Sequence, residues 1–403
     1  MKDQTFRVYG YRWVVLAVFM LINITIQMLW ITYAPITGPA AKFYGVNDSQ
    51  IGLLAMTFMI TYIPLAIPAS WVIDTYGFRK AVGLGAILMG IFAIFRGLAG
   101  ANYGLVLVSS IGIAIGQPFL MNSWTKVPAN WFSMNERATA VGLVTLANLV
   151  GTMVGFGLTP VLTAQLSIST VQLIYGVVSA IAAVLFIVLS REHPLTPPCP
   201  PGMEARALML DGLKQIVKVV PFWLFVIVYF GGMGIFNGIS TWVETIIRPR
   251  GFTPDEAGLL GTVLVLGGIL GAVVIPSFSD KQHKRQRYML LGVSLAIPGL
   301  VGVTFATSLW LLPLSAFILG FFLISVAPIG LQYVAEVTYP APEGTSAGLI
   351  QLFGQVSVVY VYFMEAIRSK DGAFTPSMLV SLGLLVVLLG VITKMKDPPV
   401  HNL

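Results

Sequence analysis

The sequence predicts an all-α polytopic membrane protein, with twelve transmembrane helices in two six-helix pseudo-repeated bundles. Three observations predict it. The 403 residues are 57% hydrophobic and 10% charged, with a mean hydropathy of +0.87, which leaves too little polar surface for a soluble globule. Twelve runs are long enough to cross a bilayer, and the first six and last six carry matching motifs at a nearly constant separation.

The runs of roughly 20 apolar residues fall at 12–38, 50–74, 79–99, 102–124, 137–160, 169–190, 221–246, 257–278, 288–308, 309–333, 344–366 and 374–395. The first is longer than the apolar core of a cleavable leader and lacks a small-residue cleavage site, so it is expected to stay as a span. Of the 23 Lys and Arg, all but Lys42, Arg96, Arg248, Arg250, Arg368 and Lys370 fall at the ends of the spans on the same side as the amino terminus. By the positive-inside rule both termini are expected in the cytoplasm, most simply at the plasma membrane. The net charge of +7 then reports topology, and no nucleic-acid partner is expected. Below, the Lys/Arg-rich ends are called the basic end and the opposite ones the far end.

Residues 191–220 divide the chain. HPLTPPCPPG forbids a continuous helix, and EARALMLDGLKQIVKVV after it has the pattern of an amphipathic surface helix. The expected organisation is a first bundle over 1–190, a cytoplasmic linker over 191–220 and a second bundle over 221–403. SQIGLL (49–54) matches DEAGLL (255–260) at an offset of 206, Asp74 matches Asp280 at the same offset, and ERATAVGL (136–143) matches EGTSAGL (343–349) starting 207 apart. A six-plus-six repeat about a central linker is the pattern of carriers that rock two bundles around a midplane site. A membrane receptor that moves nothing would not need it.

Chemistry is sparse. Cys199 is the single cysteine, and His193, His283 and His401 lie in polar loops or the tail, so neither a metal nor any other cofactor is expected, and no enzyme activity. Polar residues inside the spans carry the functional reading instead. Asn23, Gln27 and Trp30 lie within an arc of about 60° on one helix face; Gln117, Met121 and Trp124 repeat that spacing; Gln351, Gln355 and Tyr362 fall within about 40°. Amides facing lipid are costly, so these faces are expected to meet at the bundle axis. Interhelical glue, at roughly 0.6 kcal/mol per amide, is the plainer alternative for any one of them.

No acidic or basic residue lies near the centre of a span, which argues against an anionic substrate. A small organic cation held by aromatic faces fits, because ring quadrupoles bind weakly hydrated ammonium groups. On this reading Trp30 walls the site, Tyr33 closes it from the far side and Pro35 breaks the helix. A neutral or anionic metabolite, or a drug, is the alternative cargo. The expected partners are a small-molecule substrate and the bilayer, and the expected state is a monomer moving its substrate down its own gradient.

IDTYGFRK (73–80) and NWFSMNERATAVGL (130–143) resemble two segments of the major facilitator superfamily, the loop between its second and third helices and the entry to its fifth. That resemblance implies the superfamily's fold and a gating set of Asp74, Arg79, Glu136 and Arg137 in one half and Asp280 and Glu343 in the other. Thr75 stands where the loop usually has a basic residue. FYGVNDSQIGLLAMTFMITYIPL (43–65), WITYAP (30–35) and AEVTYPAPEGTSAGL (335–349) resemble a narrower branch, the feline leukaemia virus subgroup C receptor-related transporters. That branch is associated with choline and ethanolamine uptake and, by a disputed attribution, with haem export. The resemblance implies that Trp30, Gln117 and Gln355 line the substrate site. It also implies that Asn237 replaces the branch's tyrosine on the seventh helix, with Tyr229 or Trp242 as candidates to compensate.

Overall fold

A computed structural model describes residues 8–196, 213–339 and 343–397. Twelve of its helices are long and apolar enough to cross a membrane, one for each expected run. The first six are Arg12–Tyr44, Asp48–Tyr76, Phe78–Leu98, Tyr103–Met121, Met134–Thr163 and Ile168–Leu189. Val220–Thr241, Pro254–Gln282, Arg285–Phe305, Leu311–Thr338, Ser346–Ala366 and Thr375–Ile392 complete the set. They are named below as the first to twelfth spans. Cys199 and most of the expected amphipathic helix lie outside the described residues; of that helix the structure describes the turn Leu213–Ile216.

Three of the described spans are interrupted, the first and seventh near their far ends and the eleventh at Ser357. The first is α-helical over Arg12–Ile31, passes through a 3-10 turn at Ala34–Ile36 with Pro35 in its first positions, and resumes as Thr37–Tyr44. Proline lacks the amide that would continue the helix and clashes with the preceding turn, so the chain bends where the sequence placed the break. Gly45 ends this segment with φ 66°, a left-handed cap that glycine adopts without strain. The seventh span ends at Thr241, and after Trp242 a short helix, Val243–Ile247, follows. Discontinuous helices in corresponding parts of two repeats are the device by which carriers place backbone ends and polar side chains near a site.

The chain clusters into two compact units. One comprises Met1–Trp30, Thr57–Gly155 and Leu162–Met209; the other comprises Ile31–Met56, Phe156–Val161 and Leu210–Leu403. The far-end parts of the first, second and fifth spans therefore belong to the second unit. Inside that unit Gly258 lies against the Phe156 carbonyl and Pro160, so a fifth-span segment and the eighth span approach closely. Inside the first unit Gly85 and Gly116 face each other's carbonyls across the third and fourth spans. Small residues at such crossings let helix backbones touch where apolar lipid supplies no hydrophobic drive.

Candidate functional site

In the first unit, Asn23, Gln27 and Trp30 are all buried on the unbroken first helix, as their spacing requires. The fourth span departs from the expected face. Its helix ends at Met121, and the chain continues through tight turns in which the Trp124 amide bonds to the Met121 carbonyl. Trp124 nonetheless reaches the first span: its Nε1 donates to Asn23 Oδ1 at 2.7 Å. Asn23 Nδ2 is spent on the Phe19 carbonyl at 2.8 Å, so the amide is oriented and its oxygen faces the indole.

Beside this pair, Asn122 accepts from the Tyr62 hydroxyl at 2.6 Å and donates to the Ala66 carbonyl and Ser70 Oγ, each at 2.9 Å. Sequence reasoning passed over Asn122, Tyr62 and Asn148, although an amide within an apolar run is itself the signal. Among the described residues of this unit, the buried amide atoms Gln117 Oε1 and Asn148 Nδ2 have no hydrogen-bond partner. An acceptor and a donor left unspent in a low-dielectric interior are costly unless something else binds them. Gln117 itself is only 4% exposed.

In the second unit, Asn237 Nδ2 donates to Ser357 Oγ at 3.1 Å, and the Tyr229 hydroxyl donates to Gln351 Oε1 at 3.4 Å. The seventh and eleventh spans are thus cross-linked twice, and Gly354 leaves room for the Tyr229 ring. Gln355 is buried. Tyr362 does not share its face. The eleventh helix is interrupted at Ser357, with one segment ending at Val356 and the next starting at Val358, so the 100° arithmetic does not carry across. Tyr362 is 40% exposed, beside exposed Val359 and Phe363.

Of the two aromatics proposed to compensate for Asn237, Tyr229 touches the polar face, whereas Trp242 is fully buried, with its Nε1 on the Val361 carbonyl. Tyr33 packs edge-on against Tyr44, their hydroxyls 3.0 Å apart, so its polar tip is turned to the far-end segment.

Each expected gating residue whose side chain is described has at least one identified partner. At the basic end Asp74 pairs with Lys126 at 3.6 Å, and Glu136 takes Arg12 and the Ser133 hydroxyl, each at 2.9 Å. Arg137 ties down the Ala129 carbonyl at 2.9 Å. The Arg79 backbone amide donates to Glu192 at 2.7 Å, and its guanidinium to the Ile187 carbonyl at 3.4 Å. In the second unit Asp280 pairs with Arg285, which also holds Glu336 at 2.8 Å. Arg285 is 4% exposed, so these carboxylates meet a charge that water scarcely reaches. Glu343 opens a helix, and its side chain lies outside the described residues.

A charged cluster that sequence reasoning missed sits at the far end of the second unit. Arg248 grips both carboxylate oxygens of Asp48, at 3.0 and 3.3 Å, and pairs with Glu244 one helical turn away. The Glu244 hydrogen bond is the largest influence holding the guanidinium above its ordinary pKa. Glu244 also accepts the Gly38 amide at 3.2 Å. Any Cβ at position 38 would meet Arg248 and Glu244 at 3.0 Å. Nearby, Ser49 donates to Glu365. The Glu244–Arg248 spacing of four is legible in sequence; the Asp48 arm, 200 residues distant, is not.

The sequence profile of the Major Facilitator Superfamily matches residues 14–361. Among curated relatives, the choline/ethanolamine transporter FLVCR2 of Rattus norvegicus is 29% identical over 376 residues, covering 88% of this chain and 69% of that protein. Solute carrier family 49 member A3 of Danio rerio is 29% identical over 384 residues, covering 90% of this chain and 80% of that protein. Among solved structures, a bacterial homolog of the human lysosomal transporter Spinster, inward-facing and unoccupied, superposes with a TM-score of 0.77 at 16% identity. That match covers 96% of this chain and 98% of the other. The human organic anion transporter MFSD10 superposes with a TM-score of 0.67 at 14% identity, covering 94% and 99%.

Proposed function

Given that the chain belongs to the Major Facilitator Superfamily and is a multi-pass membrane transporter, we propose that it carries a small amine or quaternary ammonium of the choline type by facilitated diffusion. Asn23, Gln27, Trp30, Gln117, Met121 and Trp124 in the first unit, and Tyr229, Asn237, Gln351 and Gln355 in the second, are the residues proposed to contact it. The observation that carries the reading is the unspent Gln117 Oε1 in a unit whose neighbouring amide, Asn23, is already fixed on Trp124. A buried carbonyl oxygen attracts a hydroxyl proton or an N–H without fixing a counter-charge, and indole faces attract a cation that has lost its water.

The printed activity of one relative, the choline/ethanolamine transporter FLVCR2, supports the same substrate class. Asn237 stands where an aromatic wall was expected and favoured a neutral polar solute, but its Nδ2 is spent on Ser357, which weakens that alternative. In this proposal both termini face the cytoplasm of a plasma-membrane monomer. The Asp48–Arg248–Glu244 cluster closes the far end, and the Asp74–Lys126 and Arg12–Glu136 pairs rearrange as the carrier alternates.

The test is uptake and binding by the purified chain in liposomes. Choline is expected to bind more tightly than its neutral isostere 3,3-dimethylbutanol by about 1 to 2 kcal/mol, the cation-π share of the affinity. Trp30→Phe is expected to keep part of that preference and Trp30→Leu nearly none. Equal affinity for choline and the isostere would overturn the cation reading in favour of a neutral solute.

A further inference from the structure

A cavity of about 560 Å³ opens on the first unit at the basic end of the third and sixth spans, away from the amides of the transport path. Its floor is Gly83, Leu84, Ile87 and Ile187, and its rim carries Tyr76, Arg79, Lys80 and Glu192. The floor is continuous with an exposed apolar stripe: Leu84, Ile87, Ile91 and Phe95 follow one another at helical spacing on the third span and are 43–53% exposed. Such a stripe on a membrane-spanning helix faces lipid. Beside the rim, Trp71 and Tyr76 stand edge to face at 5.9 Å, both half exposed, as aromatic residues do at the level of lipid headgroups.

The charges on the rim are unequal in availability. Glu192 has its carboxylate engaged, accepting the amides of Phe78 at 3.0 Å and Arg79 at 2.7 Å. The Asn130 side chain donates to the same group at 3.5 Å. It therefore caps the third span and neutralises the positive end of that helix. Arg79 is held loosely by the Ile187 carbonyl at 3.4 Å. Among the described residues neither Arg79 nor Lys80 enters a salt bridge. Two cations thus stand over an apolar slot against one committed carboxylate.

We infer that this cavity is a binding site for an anionic phospholipid of the leaflet at the basic end, with the headgroup phosphate between Arg79 and Lys80 and an acyl chain over Gly83, Leu84, Ile87 and Ile187. Charge complementarity selects the head, and the continuity of the floor with the lipid-facing stripe selects a lipid over a soluble anion. The bound lipid would brace the loop after Asp74, because Arg79 and Asp74 flank the same turn. Gly83 gives the slot its depth: a Cβ there would meet no atom within 4 Å, so a larger side chain would fill the slot without striking protein.

The test uses the purified full-length chain in uncharged detergent, with native mass spectrometry to count retained lipid and tryptophan fluorescence to follow thermal unfolding. Phosphatidylglycerol and phosphatidylcholine with identical acyl chains are the probes, and glycerol 1-phosphate is the soluble headgroup control. Phosphatidylglycerol should be retained preferentially and raise the unfolding midpoint. Arg79→Gln with Lys80→Gln should weaken that retention on the order of ten-fold, and Gly83→Leu should abolish it while leaving the lipid-free midpoint within a few degrees. The inference is overturned by equal retention of the two lipids, by full retention in the double variant or in Gly83→Leu, or by glycerol 1-phosphate reproducing the stabilisation.

Discussion

Replacing Arg248 tests whether the far-end cluster is a closure whose strength lies in one buried carboxylate. The Glu244 side chain is 3% exposed, whereas Arg248 is 39% and Asp48 23% exposed. Arg248→Met therefore strands Glu244 as a buried, uncompensated charge. Removing one partner of a buried pair costs about 3 to 5 kcal/mol, and the surviving Gly38 amide bond offsets about 1 kcal/mol of it. At about 2 to 4 °C per kcal/mol for a unit of this size, the unfolding midpoint should fall by about 8 °C.

Glu244→Gln leaves Arg248, itself 39% exposed, on the partly exposed carboxylate of Asp48, and should cost about 1 kcal/mol, or roughly 3 °C. The double variant removes the stranded charge and should recover most of the Arg248→Met loss, giving a coupling of more than 1.5 kcal/mol. Thermal unfolding of the three variants in one detergent provides the comparison. Equal losses from the two single variants, with an additive double, would refute the asymmetry and with it the buried-carboxylate account.

At the proposed substrate site, Gln117→Ala should weaken hydroxylated amines such as choline by about 1 kcal/mol, roughly five-fold, and leave tetramethylammonium within about two-fold; equal losses for both ligands would mean the amide packs and does not orient. At the basic end, Asp74→Asn and Lys126→Gln should each slow uptake into liposomes while binding affinity stays within a few-fold, and a large affinity loss at unchanged turnover would place the pair in the site. Flux should follow the gradient of the substrate itself, and membrane potential if it is charged, because the acidic groups nearest the path are committed, Glu244 to Arg248 and Glu365 to Ser49. Accumulation driven by a pH gradient at zero potential would contradict this and direct attention to those two residues.

All twelve spans were legible because bilayer thickness demands some 20 apolar residues whatever the packing, and each expected run contains a helix. The site was legible only where a helix is continuous. Asn23, Gln27 and Trp30 share one uninterrupted helix, Arg12–Ile31, and all three are buried as the arc required. Tyr362 lies beyond the interruption at Ser357, and there the arithmetic failed. Trp124 lies beyond the end of its helix at Met121, yet reaches Asn23 because the turn that ends the helix redirects the indole.

Hydropathy cannot register such breaks, since Trp242 and Ser357 do not lower it enough to divide a run; only Pro35 announced one, through a missing amide. Ion pairs follow the same division. Glu244 and Arg248, four apart on the chain, are legible by helix geometry, while Lys126 for Asp74 and Asp48 for Arg248 depend on how whole helices cross. The long-range pairs and the interruptions at Pro35 and Trp242 fall towards the ends of the spans, where a carrier must bend and release, while Ser357 breaks the eleventh span midway. There local pattern yields to tertiary packing.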